Sequence, residues 1–316
     1  MPRPGHPLVI AVVGPTASGK SGLGVALARE LGGEVVNADS MQLYQGMDIG
    51  TAKLTVAEQQ RVRHRLLDVW PVTEPASVAA YQKMARQAVD EILAVDAAPI
   101  LVGGSGLYVR AVLDRMEFPG HNPALRARLE EELARVGPEP LHTRLAERSP
   151  GAASQILPSN GRRIVRALEV VELTGDFKAV LGPPEPACRA VRIGLDLDTE
   201  LLDQRIADRV DRMWRAGLVD EVRGLVGRGL RDGRTASRAL GYQQVLRRLA
   251  GELTEEEARQ ETVRATRRFV RRQRSWFRRD RSVRWLDGAR VDLLDAALEQ
   301  IREATRAPAA DRPGGV

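Results

Sequence analysis

Residues 14 to 21 read Gly14-Pro15-Thr16-Ala17-Ser18-Gly19-Lys20-Ser21 and directly follow the apolar run Leu8 to Val13. The octet fits G-x-x-x-x-G-K-[ST], set between a strand-like run and a helical pattern beginning near Gly22. Glycines at its ends let the backbone turn N–H groups inward around phosphate oxygens, at the positive end of a helix dipole. Lys20 brings a compact cation to the outer phosphate, and the Ser21 hydroxyl is a ligand for Mg²⁺. Lysine is scarce, 4 residues against 44 arginines, so one at this position is informative. The octet predicts a polyphosphate site on a strand–loop–helix unit. It leaves open whether ATP or GTP is bound for phosphoryl transfer, or a diphosphate that departs in a transferase reaction.

Working outward, β-rich runs alternate with helical periodicity, which predicts an α/β fold with a parallel sheet and flanking helices. The expected strands are Leu8 to Val13, Glu34 to Asn37, Pro99 to Val102 and Val191 to Leu197. Ligands of open parallel sheets gather at the carboxyl ends of strands, so the first three turns are where chemistry is expected. Between 118 and 190 the strand signal disappears, and Pro and Gly punctuate helices at Asn122-Pro123, Gly137-Pro138 and Leu157-Pro158. The predicted organisation is a catalytic core in two parts, 1–117 and 191–306, split by a helical insertion at 118–190. From Thr199 to Ala304 the pattern is mostly helical, and the Pro/Ala/Gly-rich end, 307–316, is expected to be disordered.

The second turn reads Val35-Val36-Asn37-Ala38-Asp39-Ser40-Met41-Gln42. Asp39, at a strand's carboxyl end, can hold a metal-bound water or take a proton from a nucleophile. It can equally be the N-cap of a following helix. The third turn, Val102-Gly103-Gly104-Ser105, permits close backbone approach to a ligand or is simply a tight strand-to-helix turn.

With 43% hydrophobic and 28% charged residues over 316 positions, the chain is ordinary for a globular protein that buries a substantial core. One cysteine, Cys188, excludes an internal disulfide framework and any Cys-based zinc site. The run at Leu8 to Val13 is too short for a signal segment or membrane span, so a cytoplasmic protein with no membrane association is expected. The 48 Lys and Arg exceed the 42 Asp and Glu by 6, and the excess is concentrated. Residues 259–284 hold 11 arginines against Glu261 and Asp280, a charge of +9, which leaves −3 for the rest. Val263, Val270 and Phe277 give this segment one apolar helical face, with Arg264, Arg267, Arg268, Arg271, Arg274 and Arg278 on the neighbouring surface. Such a stripe suits a nucleic-acid backbone, although a lone charge run is commonly a solvated face.

Taken together, GPTASGKS, NADSMQLYQGMDIGTAK, HRLLDV (from His64), LVGGSGLY, RRIVRALEV (from Arg162) and LGYQQ (from Leu240) resemble the tRNA dimethylallyltransferase family, also called tRNA isopentenyltransferases. The matches run in family order over roughly residues 8 to 287. The resemblance implies a P-loop kinase-like fold and transfer of the dimethylallyl group of dimethylallyl diphosphate to N6 of adenosine 37, beside the anticodon of tRNA. It implies that Thr16 to Ser21 line the donor site, that Asp39 is the general base, and that Asp39, Ser40, Met41 and Gln42 contact the adenosine. Lys20, Arg209 and Mg²⁺ on Ser21 would stabilise the leaving diphosphate. Ser105, Arg126 and the stretch Arg162, Arg163, Ile164, Val165, Arg166 match positions that touch tRNA, placing the insertion against the anticodon stem. With an RNA implied, Arg271 and Arg274 are expected to meet its backbone. The working unit is expected to be a monomer. Four departures stand out: Ser105 in place of Thr, Asn160 in place of Asp, Arg63 in place of a His, and Asp176 to Ala179 without the usual hydroxyl residues. A P-loop small-molecule kinase shares the loop but leaves the DSMQ stretch, the insertion and the basic segment without a role. A non-catalytic RNA-binding NTPase is a further alternative.

Overall fold

The computed structural model describes residues 8–177 and 182–306. The six strands are β1 Val9–Val13, β2 Gly33–Asn37, β3 His64–Arg65, β4 Ala98–Gly103, β5 Ala190–Asp196 and β6 Val283–Asp287. They form one wholly parallel sheet in the order β3-β2-β4-β1-β5-β6. In chain order the helices are α1 Lys20–Leu31, α2 Val78–Ala94, α3 Gly106–Leu113, α4 Pro123–Val136, α5 Pro138–Arg148, α6 Pro150–Ala153, α7 Gly161–Thr174, α8 Thr199–Arg215, α9 Leu218–Val226, α10 Tyr242–Leu249, α11 Glu255–Arg278 and α12 Leu293–Arg306. The expected tail at 307–316, and Lys178 and Ala179 of the fourth departure, lie outside the described residues.

The uninterrupted apolar run of β1 is explained by its central place, since a parallel strand covered on both faces needs apolar side chains throughout. Val9, Ala11 and Val13 pack on one face with Tyr81 and Ile92 of α2 and Tyr108 of α3. Ile10 and Val12 pack on the other with Leu23 and Leu27 of α1 and Leu298 of α12. The chain leaves β1 toward β2 on one side and later returns to β5 on the other. That reversal opens a crevice at the carboxyl ends of β1, β2 and β4.

Two strands correct the sequence reading. β3 has only two residues, too few to register as a pattern. β6 lies within the stretch read as helical; Val283 and Leu286 are buried on opposite faces of the sheet, and Arg284 and Asp287 are exposed. Its buried residues do not alternate, so it carries no period-of-two signal.

The chain divides into two compact units, Met1–Arg115 with Pro186–Val316, and Met116–Glu185. The second is a four-helix unit, α4 to α7, around Leu129, Leu141, Leu145, Ile164 and Leu168. Asn122 caps α4 by accepting from the Leu125 N–H at 3.0 Å, and Asn160 caps α7 from the Arg163 N–H at 3.3 Å. Asn160 thus does what an Asp would do at an N-cap.

Candidate active site

The phosphate loop turns sharply on glycine. Gly14 has φ +135°, and a Cβ there would stand 2.2 Å from the Leu195 carbonyl oxygen, so no other residue fits. Gly19, at φ +97°, leads directly into α1, whose first residue is Lys20. The Lys20 ammonium folds back to the Pro15 carbonyl at 2.5 Å. Burial, then the neighbouring Arg209, pushes its pKa down from 10.5 to about 7, while Asp39 pulls it up. Arg209 of α8 is half-buried and its pKa is lowered, chiefly by desolvation.

A cavity of 780 Å³ opens over the loop, and Thr16, Ala17, Gly19, Lys20 and Ser21 line it. Asp39, Gln42 and Arg209 line the same cavity. The structure therefore brings together the phosphate loop, the Asp39 turn and the α8 arginine. It does not bring in every residue of the loop. Gly14 and Pro15 shape the turn from outside the lining, and Ser18 is fully buried. Ser40, Met41 and Ser105 also lie off the cavity. The Ser105 hydroxyl accepts from the Ser40 N–H at 3.2 Å and donates to the Ser40 hydroxyl at 3.3 Å, pinning the second and third turns together. Gly103 and Gly104 do provide close approach, but to protein. A Cβ at Gly103 would meet the Ala38 carbonyl oxygen at 2.2 Å, and one at Gly104 would meet the Gln273 amide at 2.3 Å.

Asp39 does not cap a helix. Its Oδ1 accepts from the Met41 N–H at 2.9 Å in a local turn, and no helix follows. Buried Asn37 holds this turn, accepting from the Asp39 N–H at 2.9 Å and donating to the Asp39 and Leu66 carbonyls at 3.0 Å. The Tyr81 hydroxyl in turn donates to the Asn37 carbonyl at 2.9 Å.

Sequence reasoning missed several participants. Arg205 and Arg212 line the cavity with Arg209, and their spacing along α8 puts all three on one face. That spacing was a readable signal. Gln273 of α11 gave none. It accepts from the Thr16 N–H and donates to the Gly104 carbonyl, both at 2.9 Å, tying the basic helix to the phosphate loop and to the β4 turn.

The basic segment is helical only to Arg278, after which the chain turns into β6. Val270 and Phe277 are buried and Val263 is half-buried, as expected of the apolar face. Arg264, Arg268 and Arg271 are exposed and, among the described residues, carry no ion pair. Arg274, expected to meet RNA, is engaged within the protein. Its side chain is 13% exposed and bound to Asp196 at 2.8 Å, to the Thr199 hydroxyl at 2.9 Å and to the Leu197 carbonyl. Arg278 shares Asp196 at 3.1 Å, and Arg267 pairs with Asp203 at 3.5 Å.

In the helical unit, Arg162 and Arg163 are exposed at the start of α7. Ile164 and Val165 are buried at 0% and 1%, so their side chains belong to that unit's core. Arg126 and Arg166 are turned toward the buried carboxylate of Glu169, at 3.3 and 2.8 Å. Glu169 also meets His121 at 2.6 Å, and its hydrogen bonds hold its pKa below the usual range against the opposing pull of burial.

The chemistry of the donor set decides what metal could be held. No group of three or more His, Cys, Asp or Glu suited to a metal exists among the described residues, so a protein-only cage is absent from them. Ser21 and Asp39 on one cavity wall fit a Mg²⁺ that brings its other ligands as phosphate oxygens and waters.

Comparison with known proteins identifies the family. The sequence model of the family described as IPP transferase matches residues 42–280. A tRNA dimethylallyltransferase of Salinispora arenicola is 69% identical over 94% of this chain and 87% of its own length. One from Streptomyces coelicolor is 66% identical over 96% and 99%. The crystal structure of the full-length tRNA isopentenylpyrophosphate transferase from Bacillus halodurans is 38% identical, with a TM-score of 0.70 over 95% of this chain and 98% of that one. The chain belongs to the IPP transferase family.

Proposed function

We propose that the protein is a tRNA dimethylallyltransferase, moving the dimethylallyl group of dimethylallyl diphosphate to N6 of adenosine 37 beside the anticodon and releasing diphosphate. The observation that carries this reading is one cavity lined at once by Lys20 and Arg209, which suit a diphosphate, and by Asp39 and Gln42, which suit an adenine edge.

An exocyclic adenine amine is a weak nucleophile, so the Asp39 carboxylate accepts its proton as the N–C bond forms. Gln42 orients the base. The C–O bond to the diphosphate breaks as this proceeds, and Lys20, Arg209 and the loop N–H groups hold the departing charge. Ser21 would hold a Mg²⁺, which when bound neutralises part of the diphosphate charge. Reaching the cavity requires the nucleotide to leave the anticodon-loop stack. Exposed Arg162 and Arg163 of the helical unit and Arg264, Arg268 and Arg271 of α11 supply sequence-independent contacts to the RNA backbone. We take the working unit to be a monomer. A cytoplasmic site of action follows from the proposed RNA substrate, and no helix among the described residues is long and apolar enough to cross a membrane.

The test is incubation of an unmodified anticodon stem-loop with dimethylallyl diphosphate and Mg²⁺, followed by mass spectrometry of the RNA. A dimethylallyl mass shift at adenosine 37 is expected. Unshifted RNA, with phosphate transfer to a metabolite or nucleotide hydrolysis instead, refutes the reading.

A further inference from the structure

Three parts of the first unit converge on the loop from Asp48 to Thr51. The consecutive backbone N–H groups of Asp48, Ile49 and Gly50 all donate to the carboxylate of Glu221 on α9, at 3.1, 2.7 and 3.2 Å. Successive N–H groups turned to one side form an anion-binding nest, and here the anion is a side chain. The Tyr242 hydroxyl, at the start of α10, donates to the same carboxylate at 2.5 Å. Its ring lies against Gly50 so closely that a Cβ there would stand 2.4 Å from it, which excludes any larger residue. The Thr51 hydroxyl closes the loop on the Met47 carbonyl at 2.6 Å.

The loop so held presents one carbonyl, that of Thr51, to two residues of the cavity wall. Gln42 donates to it at 3.2 Å and Arg209 at 3.1 Å. In the reaction proposed above, on which this inference rests, Gln42 serves the adenosine and Arg209 the departing diphosphate. We infer that Glu221 is a positioning residue for both substrates: by filling the nest it holds the one carbonyl that aims both side chains. Glu221 is not part of the cavity lining and acts only through the loop. A carboxylate is required, since four donors reach its two oxygens. A glutamine has one oxygen, and its NH₂ would face N–H donors.

Isothermal titration of inorganic pyrophosphate into the full-length wild type, Glu221→Gln and Tyr242→Phe tests this, together with initial rates over ranges of dimethylallyl diphosphate and stem-loop RNA. Glu221→Gln is expected to weaken pyrophosphate binding and to raise KM for both substrates about tenfold, about 1.4 kcal/mol. Tyr242→Phe keeps the ring over Gly50 and removes one donor, so a loss of about threefold is expected. A merely structural Glu221 would lower the active fraction, and with it kcat, while the folded remainder kept its KM values and pyrophosphate affinity. That result, or unchanged constants in Glu221→Gln, overturns the assignment. Should Glu221→Gln fail to fold, Tyr242→Phe decides, and an unaltered pyrophosphate affinity overturns it. A wild type that binds pyrophosphate but alkylates no RNA refutes the proposed function, while the pyrophosphate measurement still judges Glu221.

Discussion

Lys20 makes donor binding a proton-linked event. Burial beside Arg209 holds its ammonium at about 7, against an ordinary 10.5. At pH 8, one unit above that value, about nine-tenths of the molecules carry a neutral Lys20. A diphosphate ester is fully ionised there, since the last phosphate proton leaves near about pH 6. Its charge against the amine restores the proton, so binding takes up about 0.9 proton at pH 8 and about 0.5 at pH 7. Affinity should then fall about tenfold for each pH unit above 7, or about 1.4 kcal/mol. Titrating dimethylallyl diphosphate, without RNA or metal, in buffers of different ionisation enthalpy counts the protons directly. The ligand-free protein follows the same linkage. Its unfolded chain holds the Lys20 proton up to 10.5 and the folded one loses it above about 7, so across that window the unfolded state binds more protons and stability rises with pH. A binding enthalpy at pH 8 that does not vary with buffer, or an affinity flat from pH 7 to 9, would refute the reasoning.

Asp39→Asn keeps the oxygen that accepts from the Met41 N–H and removes the base, so transfer should fall by about 10²- to 10⁴-fold with RNA binding retained. Retained single-turnover transfer would remove Asp39 from the proton path. Gln273→Met fills the same space but leaves the Thr16 N–H and the Gly104 carbonyl unpaired, costing about 2–4 kcal/mol in thermal or urea unfolding together with weaker pyrophosphate binding. An unchanged melt and isotherm would make that bridge dispensable. Replacing Arg264, Arg268 and Arg271 together with Gln should reduce the slope of log binding constant against log salt by about 2–3 without lowering the melting temperature. Arg274→Gln should do the opposite, lowering stability by about 1–3 kcal/mol by leaving Asp196 to the exposed Arg278, and barely moving the salt slope. An exchange of these two outcomes would mean that the ion pair at Asp196 does not form in solution.

What the sequence displayed and what it hid divide by range of interaction. The phosphate loop was readable because its determinants are contiguous: a strand, two glycines with positive φ, and a lysine at the first helical position. The Asp39 turn was readable as a position, since it follows an apolar strand. Its role was ambiguous because an Asx turn and a helix N-cap share residue types. Asn37, two residues earlier, shows which it is, and only its hydrogen bonds reveal that. Glu221 and Gln273 were invisible for a different reason. Each acts on backbone groups at least 169 positions away, and a lone Glu or Gln on a helix carries no mark of which loop it will meet. Ile164 and Val165 illustrate a further limit of range: a motif carried over whole includes residues whose side chains pack into the core of their own unit, which the motif alone does not distinguish from its exposed arginines.

The basic helix is where charge and fold must be argued together. Read as a stripe, six arginines on one surface of α11 point to RNA with equal weight. The structure splits them. Arg267, Arg274 and Arg278 spend their charge on Asp203 and Asp196, and Asp196 is the last residue of β5, beside the strand that leads into the phosphate loop. Those pairs, with the buried Gln273 amide on the Thr16 N–H, attach the helix to the carboxyl end of the sheet. Arg264, Arg268 and Arg271 remain at the surface of the same rigid element. One helix therefore carries two sets of arginines: the paired set fixes it to the end of the sheet beside the phosphate loop, and the unpaired set, on the proposed function, would meet an RNA backbone in a set relation to that loop. A flexible basic tail of the same net charge could supply the affinity but not that relation, because electrostatic contacts alone leave register undefined.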